Sequence, residues 1–142
     1  YDTLQRKTRM LAGGVGFQPA MNPSAAFSDT RYSYDALGRL SSVVLLDNNP
    51  MLAGNQSETT TYRYDLLGRN DYTLLPQNII EDFMFDGLGR LDIVAYYAGS
   101  IAPANLRSSF DYAHRADNKK VGLVETFKTT TNVVNNYTWE YD

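Results

Sequence analysis

The 142-residue sequence contains no cysteine and a single histidine, His114. Without cysteine there can be no disulfide framework and no thiolate zinc site. A lone imidazole argues against a histidine-based metal centre and leaves a Ser-His-Asp triad only one candidate base. His114 is expected in a turn or on the surface. Neither sign of charge dominates: nine Arg and four Lys face twelve Asp and four Glu, for a net charge of −3. That balance gives no electrostatic footprint for nucleic acid or an anionic membrane. No apolar run approaches the roughly 20 residues of a spanning helix. The opening residues, Tyr1-Asp2-Thr3-Leu4, are too polar for a signal peptide. If the parent chain is exported, its signal is expected outside this sequence. Sustained helical periodicity is also missing.

What is present favours strands. Hydrophobic residues make up 43% and charged residues 20%, enough for a core and for one domain. Eleven Tyr, six Phe and one Trp fit pleated, half-buried surfaces.

A repeat organises these aromatics. Tyr32-Ser33-Tyr34-Asp35-Ala36-Leu37-Gly38-Arg39-Leu40 returns as Tyr62-Arg63-Tyr64-Asp65-Leu66-Leu67-Gly68-Arg69-Asn70 and as Phe83-Met84-Phe85-Asp86-Gly87-Leu88-Gly89-Arg90-Leu91. Weaker copies flank them. Tyr1-Asp2-Thr3-Leu4-Gln5-Arg6 has Gln5 where glycine is expected, and Phe110-Asp111-Tyr112-Ala113-His114-Arg115 has Ala113 at the aspartate position. Trp139-Glu140-Tyr141-Asp142 starts a sixth copy. Turns are thus expected near residues 1–7, 32–40, 62–70, 83–91 and 110–120, with another beginning at 139–142. Because the sequence opens on one Tyr-Asp and closes on another, a fragment of a longer array is expected.

The motif spells a hairpin. Tyr32 and Tyr34 sit two apart and share a strand face. Asp35 can accept a hydrogen bond from the N–H two residues on. Ala36 and Leu37 fill the centre of a type I turn, and Gly38 takes the left-handed conformation of a G1 bulge. Arg39 opens the return strand, free to pair with an Asp or to lie over a Tyr ring. The same roles fall to Tyr64, Asp65, Gly68 and Arg69, and to Phe85, Asp86, Gly89 and Arg90.

Return strands are legible in Leu91–Tyr97 and Val121–Phe127. Residues 40–46 are almost wholly apolar after Ser42, which predicts a strand covered on both faces. Tyr137, Trp139 and Tyr141 are expected on one side of a last strand. Loops are expected over residues 11–29, at Asp47-Asn48-Asn49-Pro50 and over residues 97–106.

Sharper chemical readings lose to the turn. Asp35, Asp65 and Asp86 could be glycosidase carboxylates, but a turn accounts for each Asp together with its Gly. Gly13-Gly14-Val15-Gly16 lacks the Gly-Lys-Ser/Thr ending of a phosphate loop and no helix pattern follows. Asp47, Asp71 and Asp117 lie near Asn but do not space as a calcium loop. Asn55-Gln56-Ser57 and Asn136-Tyr137-Thr138 fit a glycosylation pattern that matters only in a eukaryotic secretory pathway.

The three central motifs resemble the YD repeats of RHS proteins, a family that includes bacterial polymorphic toxins, insecticidal toxin-complex subunits and teneurins. The resemblance implies an all-β fold, an array of antiparallel β-hairpins forming a curved, spiralling sheet segment of a hollow shell. It implies a secreted or cell-surface protein of bacterial type, enclosing a toxin or an unfolded segment. The alternative is a surface adhesion or carbohydrate-binding array. No segment matches the family's self-cleaving C-terminal core motif, so no enzymatic activity, metal or cofactor is expected. The expected partners are neighbouring repeats, an enclosed client or glycans, without nucleic acid or a membrane span. Self-association through open sheet edges is also expected.

Overall fold

The computed structural model describes residues 1–13, 18, 28–47, 56–114, 116, 120–128 and 134–140. Among the described residues the longer regular elements are ten strands: β1 (Arg9–Ala12), β2 (Ser28–Tyr34), β3 (Leu40–Asp47), β4 (Gln56–Tyr64), β5 (Asn70–Leu75), β6 (Ile79–Phe85), β7 (Leu91–Ala98), β8 (Leu106–His114), β9 (Lys120–Lys128) and β10 (Val134–Glu140). The single 3-10 turns Pro76–Asn78 and Pro103–Asn105 join β5 to β6 and β7 to β8. Among the described residues no helix is long and apolar enough to cross a membrane. The all-β array of antiparallel hairpins read from the sequence is the observed fold.

The chain falls into two compact units, residues 1–62 and 63–142. In each, the strand order is the chain order and every pairing is antiparallel. In the first unit β2 lies between β1 and β3, with Arg31 opposite both Arg9 and Val44. In the second, β7 lies between β6 and β8, with Val94 opposite both Phe83 and Phe110. Directly opposed residues share a face. Phe83, Val94 and Phe110 therefore form one row, and Tyr96 meets Phe110 edge to face at 6.2 Å. Asp82 and Ala95 oppose each other on the other face. In this unit Phe83, Phe110 and Tyr96 thus line one side, and Tyr97 the other.

The sheet carries little true core. Among the described residues only Ile80, Val94 and Ala95 are buried apolar side chains. Strand β3, expected to be covered on both faces, is half-buried along its whole length. Among the described residues, its flanking cover comes from the neighbouring strands β2 and β4.

Three further expectations need correction. The span 11–29, read as a loop for its Gly and Pro, begins and ends in strand: Leu11 opposes Asp29 and Ala12 opposes Ser28. Backbone pairing with β2 outweighs the weak local signal there. Ala113, aligned with the motif aspartates, lies inside β8 opposite Gly122, and His114 ends the strand opposite Lys120. Without an aspartate to stop it, this strand runs past the motif's turn position. Gly14, Val15, Gly16, the turn at Asn48-Asn49-Pro50, Asn55, Asp117, Tyr141 and Asp142 lie outside the described residues.

Candidate functional site: a repeated Asp–Arg turn

Asp35, Gly38 and Arg39 form one closed unit. The Asp35 N–H donates to the Arg39 carbonyl at 2.8 Å, and the Gly38 N–H donates to the Asp35 carbonyl at 3.0 Å. Gly38 has φ +80°, the left-handed value that the G1 bulge demands. The carboxylate is shared out completely. Oδ1 accepts from the backbone N–H groups of Leu37 and Arg39, both at 2.9 Å. Oδ2 accepts from Nε of Arg39 at 2.7 Å. The aspartate thus ties both ends of its own turn.

The geometry repeats at Asp65 and Asp86. Leu67 and Arg69 N–H reach Asp65 Oδ1 at 2.9 Å, and Arg69 Nε reaches Oδ2 at 2.7 Å. Leu88 and Arg90 do the same at Asp86, with Nε at 2.6 Å. Gly68 and Gly89 have φ +82° and +79°. The degenerate copy at Asp2 forms an identical turn, with Gln5 forced to φ +59° in place of glycine. The carboxylate and the arginine specify this turn strongly enough to hold a non-glycine residue in the left-handed region.

All four carboxyls are held below the usual carboxylate range. At Asp2 and Asp86 the largest cause is the backbone N–H of Arg6 or Arg90. At Asp35 and Asp65 the largest single influence is partial burial, which pushes upward. It is outweighed together by the backbone N–H, guanidinium and charge of Arg39 or Arg69.

The arginine also reaches the next motif. In the first unit the Arg6 guanidinium lies 4.4 Å from the centroid of the Tyr34 ring. In the second, Arg69 lies 4.0 Å from the Phe85 ring. Both roles foreseen for the arginine, pairing with Asp and covering an aromatic, belong to one side chain. Tyr34 further donates its hydroxyl to the Lys7 carbonyl at 2.7 Å. Tyr64 ends β4 immediately before Asp65, as Tyr34 ends β2 before Asp35.

Two polar features were not singled out in the sequence. Asp29 on β2 is buried and takes Arg9 and Arg31 together. Hydrogen bonding from Arg9, then from Arg31, lowers its pKa to about 2. The i, i+2 spacing of Asp29 and Arg31 was the available signal, obscured by reading residue 29 as loop. On β6 and β7, Tyr96 donates to Glu81 at 2.5 Å. This bond to the carboxylate pushes Tyr96 up to about 12. Nearby, burial and then Asp71 raise the pKa of Asp82.

The side chains of the turn leucines, unlike their backbone N–H groups, have no role in closing the turns. Leu4, Leu37, Leu67 and Leu88 occupy the same turn position and are 69%, 78%, 78% and 75% exposed. Among the described residues no cluster of three or more His, Asp or Glu could hold a metal ion. Comparison with protein-family models and with curated proteins found no match to this chain.

Proposed function

We propose that this chain is a structural YD-repeat segment of a larger secreted RHS-type protein, a length of wall in a shell that encloses a toxin or an unfolded segment. The observation that carries the reading is the linkage of successive turns. Each Asp–Arg pair closes one hairpin, and the guanidiniums of Arg6 and Arg69 also cover the aromatic, Tyr34 or Phe85, that leads into the next turn of their own unit. Such coupling suits an array that must extend through many repeats, because one hairpin alone is marginal in water. The scarcity of buried apolar side chains suits a wall one sheet thick. The turn carboxylates are committed to their own backbones and arginines, so the role is architectural and not enzymatic.

The test uses the full parent protein. Limited proteolysis of the intact particle should spare the chain's C-terminal tail until the wall is opened by denaturant. A tail cut at the same rate as a free peptide would overturn encapsulation. The isolated segment should self-associate through its outer strands, as read by light scattering. A monomer at high concentration would count against open pairing edges.

A further inference from the structure

The turn at Asp86 carries a glycine that its geometry does not call for. Gly87 follows Asp86 directly, where the other turns have Thr3, Ala36 and Leu66. A Cβ added at Gly87 would meet nothing within 4 Å, and Gly87 lacks the positive φ that Gly89 adopts at +79°. Space and backbone conformation both admit a side chain there. Nor does the Gly87 N–H close the turn, whose bonds come from the N–H groups of Asp86, Leu88, Gly89 and Arg90.

What the glycine supplies is access. With no Cβ at Gly87, its backbone nitrogen approaches the Asp86 carboxyl with the least hindrance. Attack forms a C–N bond from Gly87 N to Asp86 Cγ and expels one carboxyl oxygen as water, which carries off the amide proton. A five-membered succinimide remains. Water then reopens the ring, at Cγ to restore aspartate or at the main-chain carbonyl to give isoaspartate. One water leaves and one enters, so the mass is unchanged and no co-reactant is needed.

The folded turn opposes this reaction at both oxygens. Oδ1 accepts from the N–H groups of Leu88 and Arg90 at 2.9 Å, and Oδ2 from Nε of Arg90 at 2.6 Å. Expelling either oxygen breaks the bonds it holds. The reaction also needs a neutral carboxyl, because hydroxyl and not oxide is the leaving group. The Arg90 N–H, together with its guanidinium, keeps Asp86 ionised by holding its pKa below the ordinary value.

We propose that Asp86–Gly87 is a latent isoaspartate site, closed while Arg90 holds the turn and reactive once the turn opens. The product matters to the hairpin. Isoaspartate adds a methylene to the main chain and moves the free carboxylate to the α-carbon, so the ties to Leu88 and Arg90 are not remade in their native register. Opening of this one turn is thereby recorded covalently. The inference is independent of encapsulation and stands or falls separately.

The experiment ages the whole chain at neutral pH with and without urea. Isoaspartate at residue 86 is measured by electron-transfer fragmentation of its peptide, with Asp35 and Asp65 as internal controls. The folded chain should lag the unfolded chain about tenfold or more, since chemistry confined to an open state follows the open population. Arg90→Ala should speed the folded chain about tenfold, the change in open population from one lost charge-assisted hydrogen bond. Gly87→Ala, for which the turn has room, should bring residue 86 in urea down to the level of Asp35–Ala36. The urea comparison and Gly87→Ala decide even if Arg90→Ala misfolds. Equal rates in folded and unfolded chains, a folded Arg90→Ala chain that ages no faster, or equal isoaspartate at residues 35, 65 and 86 in urea would each overturn the proposal.

Discussion

The guanidinium of Arg69 sits 4.0 Å from the centroid of the Phe85 ring while its Nε and Nη2 hold Asp65. One side chain therefore closes its own turn and roofs the strand end that leads into the turn at Asp86. Gly89 lies beneath the same arginine, since a Cβ built there would come 3.3 Å from Arg69 Nη1. Neighbouring turns in this unit are in contact, and the arginine is the contact.

Arg69→Ala should destabilise the chain by about 1–3 kcal/mol, from a lost charge-assisted bond and a lost cation–π contact. Arg69→Lys should fall between, because an ammonium keeps charge but not the planar fork. Urea unfolding of Arg69→Ala, Phe85→Leu and the double variant would give a coupling of about 0.5–1 kcal/mol. Zero coupling would separate the two turns and remove the basis for the repeat-to-repeat linkage.

The left-handed positions make a paired prediction with opposite signs. Gly68→Val should cost at least about 1–2 kcal/mol, the penalty for an L-residue at this φ. Gln5→Gly should stabilise by up to about 1 kcal/mol, because Gln5 already bears that penalty at φ +59°. Thermal midpoints decide both. A Gln5→Gly variant that melts lower would mean the glutamine side chain contributes something the turn geometry does not explain.

These turns were legible because every part of them is local. Asp35, Leu37, Gly38 and Arg39 lie within five positions, and their residue types each favour one conformation. Spacing also assigned Tyr32 and Tyr34 to one face. What stayed hidden depends on register. Pairing of Arg9 with Arg31 and of Glu81 with Tyr96 follows from which strands meet and where, and no local pattern encodes that. The bulges displaced register further: Tyr34 opposes Leu40 while Ser33 opposes Ser42, and Phe85 opposes Leu91 while Met84 opposes Ile93. Nor could the apolar run of β3 reveal that it is only half-buried along its length.

The exposed turn leucines should be dispensable to the fold. Leu67→Ser should change stability by less than about 0.5 kcal/mol, as for other surface sites away from caps and core. A larger loss by urea unfolding would show that Leu67 is covered in solution. Leu37→Ser and Leu88→Ser should behave alike.

Alkaline titration reads the Glu81–Tyr96 pair when Tyr96→Phe is compared with the parent. The folded pKa of Tyr96 is raised to about 12, against an ordinary value near 10. A raised folded value means that the bond stabilises fully below about pH 10 and fades as pH climbs toward 12. Tyr96→Phe should shrink that alkaline limb, to which the raised Tyr97 also contributes, and cost about 1–3 kcal/mol at neutral pH, since it leaves a half-buried Glu81 without its donor. An alkaline unfolding midpoint identical in both proteins would refute the assignment.

Acid titration separates two aspartates by sign. The folded pKa of Asp29 is depressed to about 2, so its contribution is complete above the unfolded value near 4 and disappears as pH falls through about 2. The turn aspartates, also lowered, lose theirs on the acid side in the same order. Asp82 runs the other way: burial and Asp71 raise its pKa, so its ionised form opposes folding and protonation relieves it. Asp82→Asn should therefore stabilise the chain at pH 7 and leave it little changed at pH 3. Asp29→Asn should destabilise at pH 7 and flatten the acid limb below pH 4, because an amide cannot carry the charge that holds Arg9 and Arg31 together. If the two variants shifted stability in the same direction at pH 7, the opposite environments assigned to these carboxylates would be wrong.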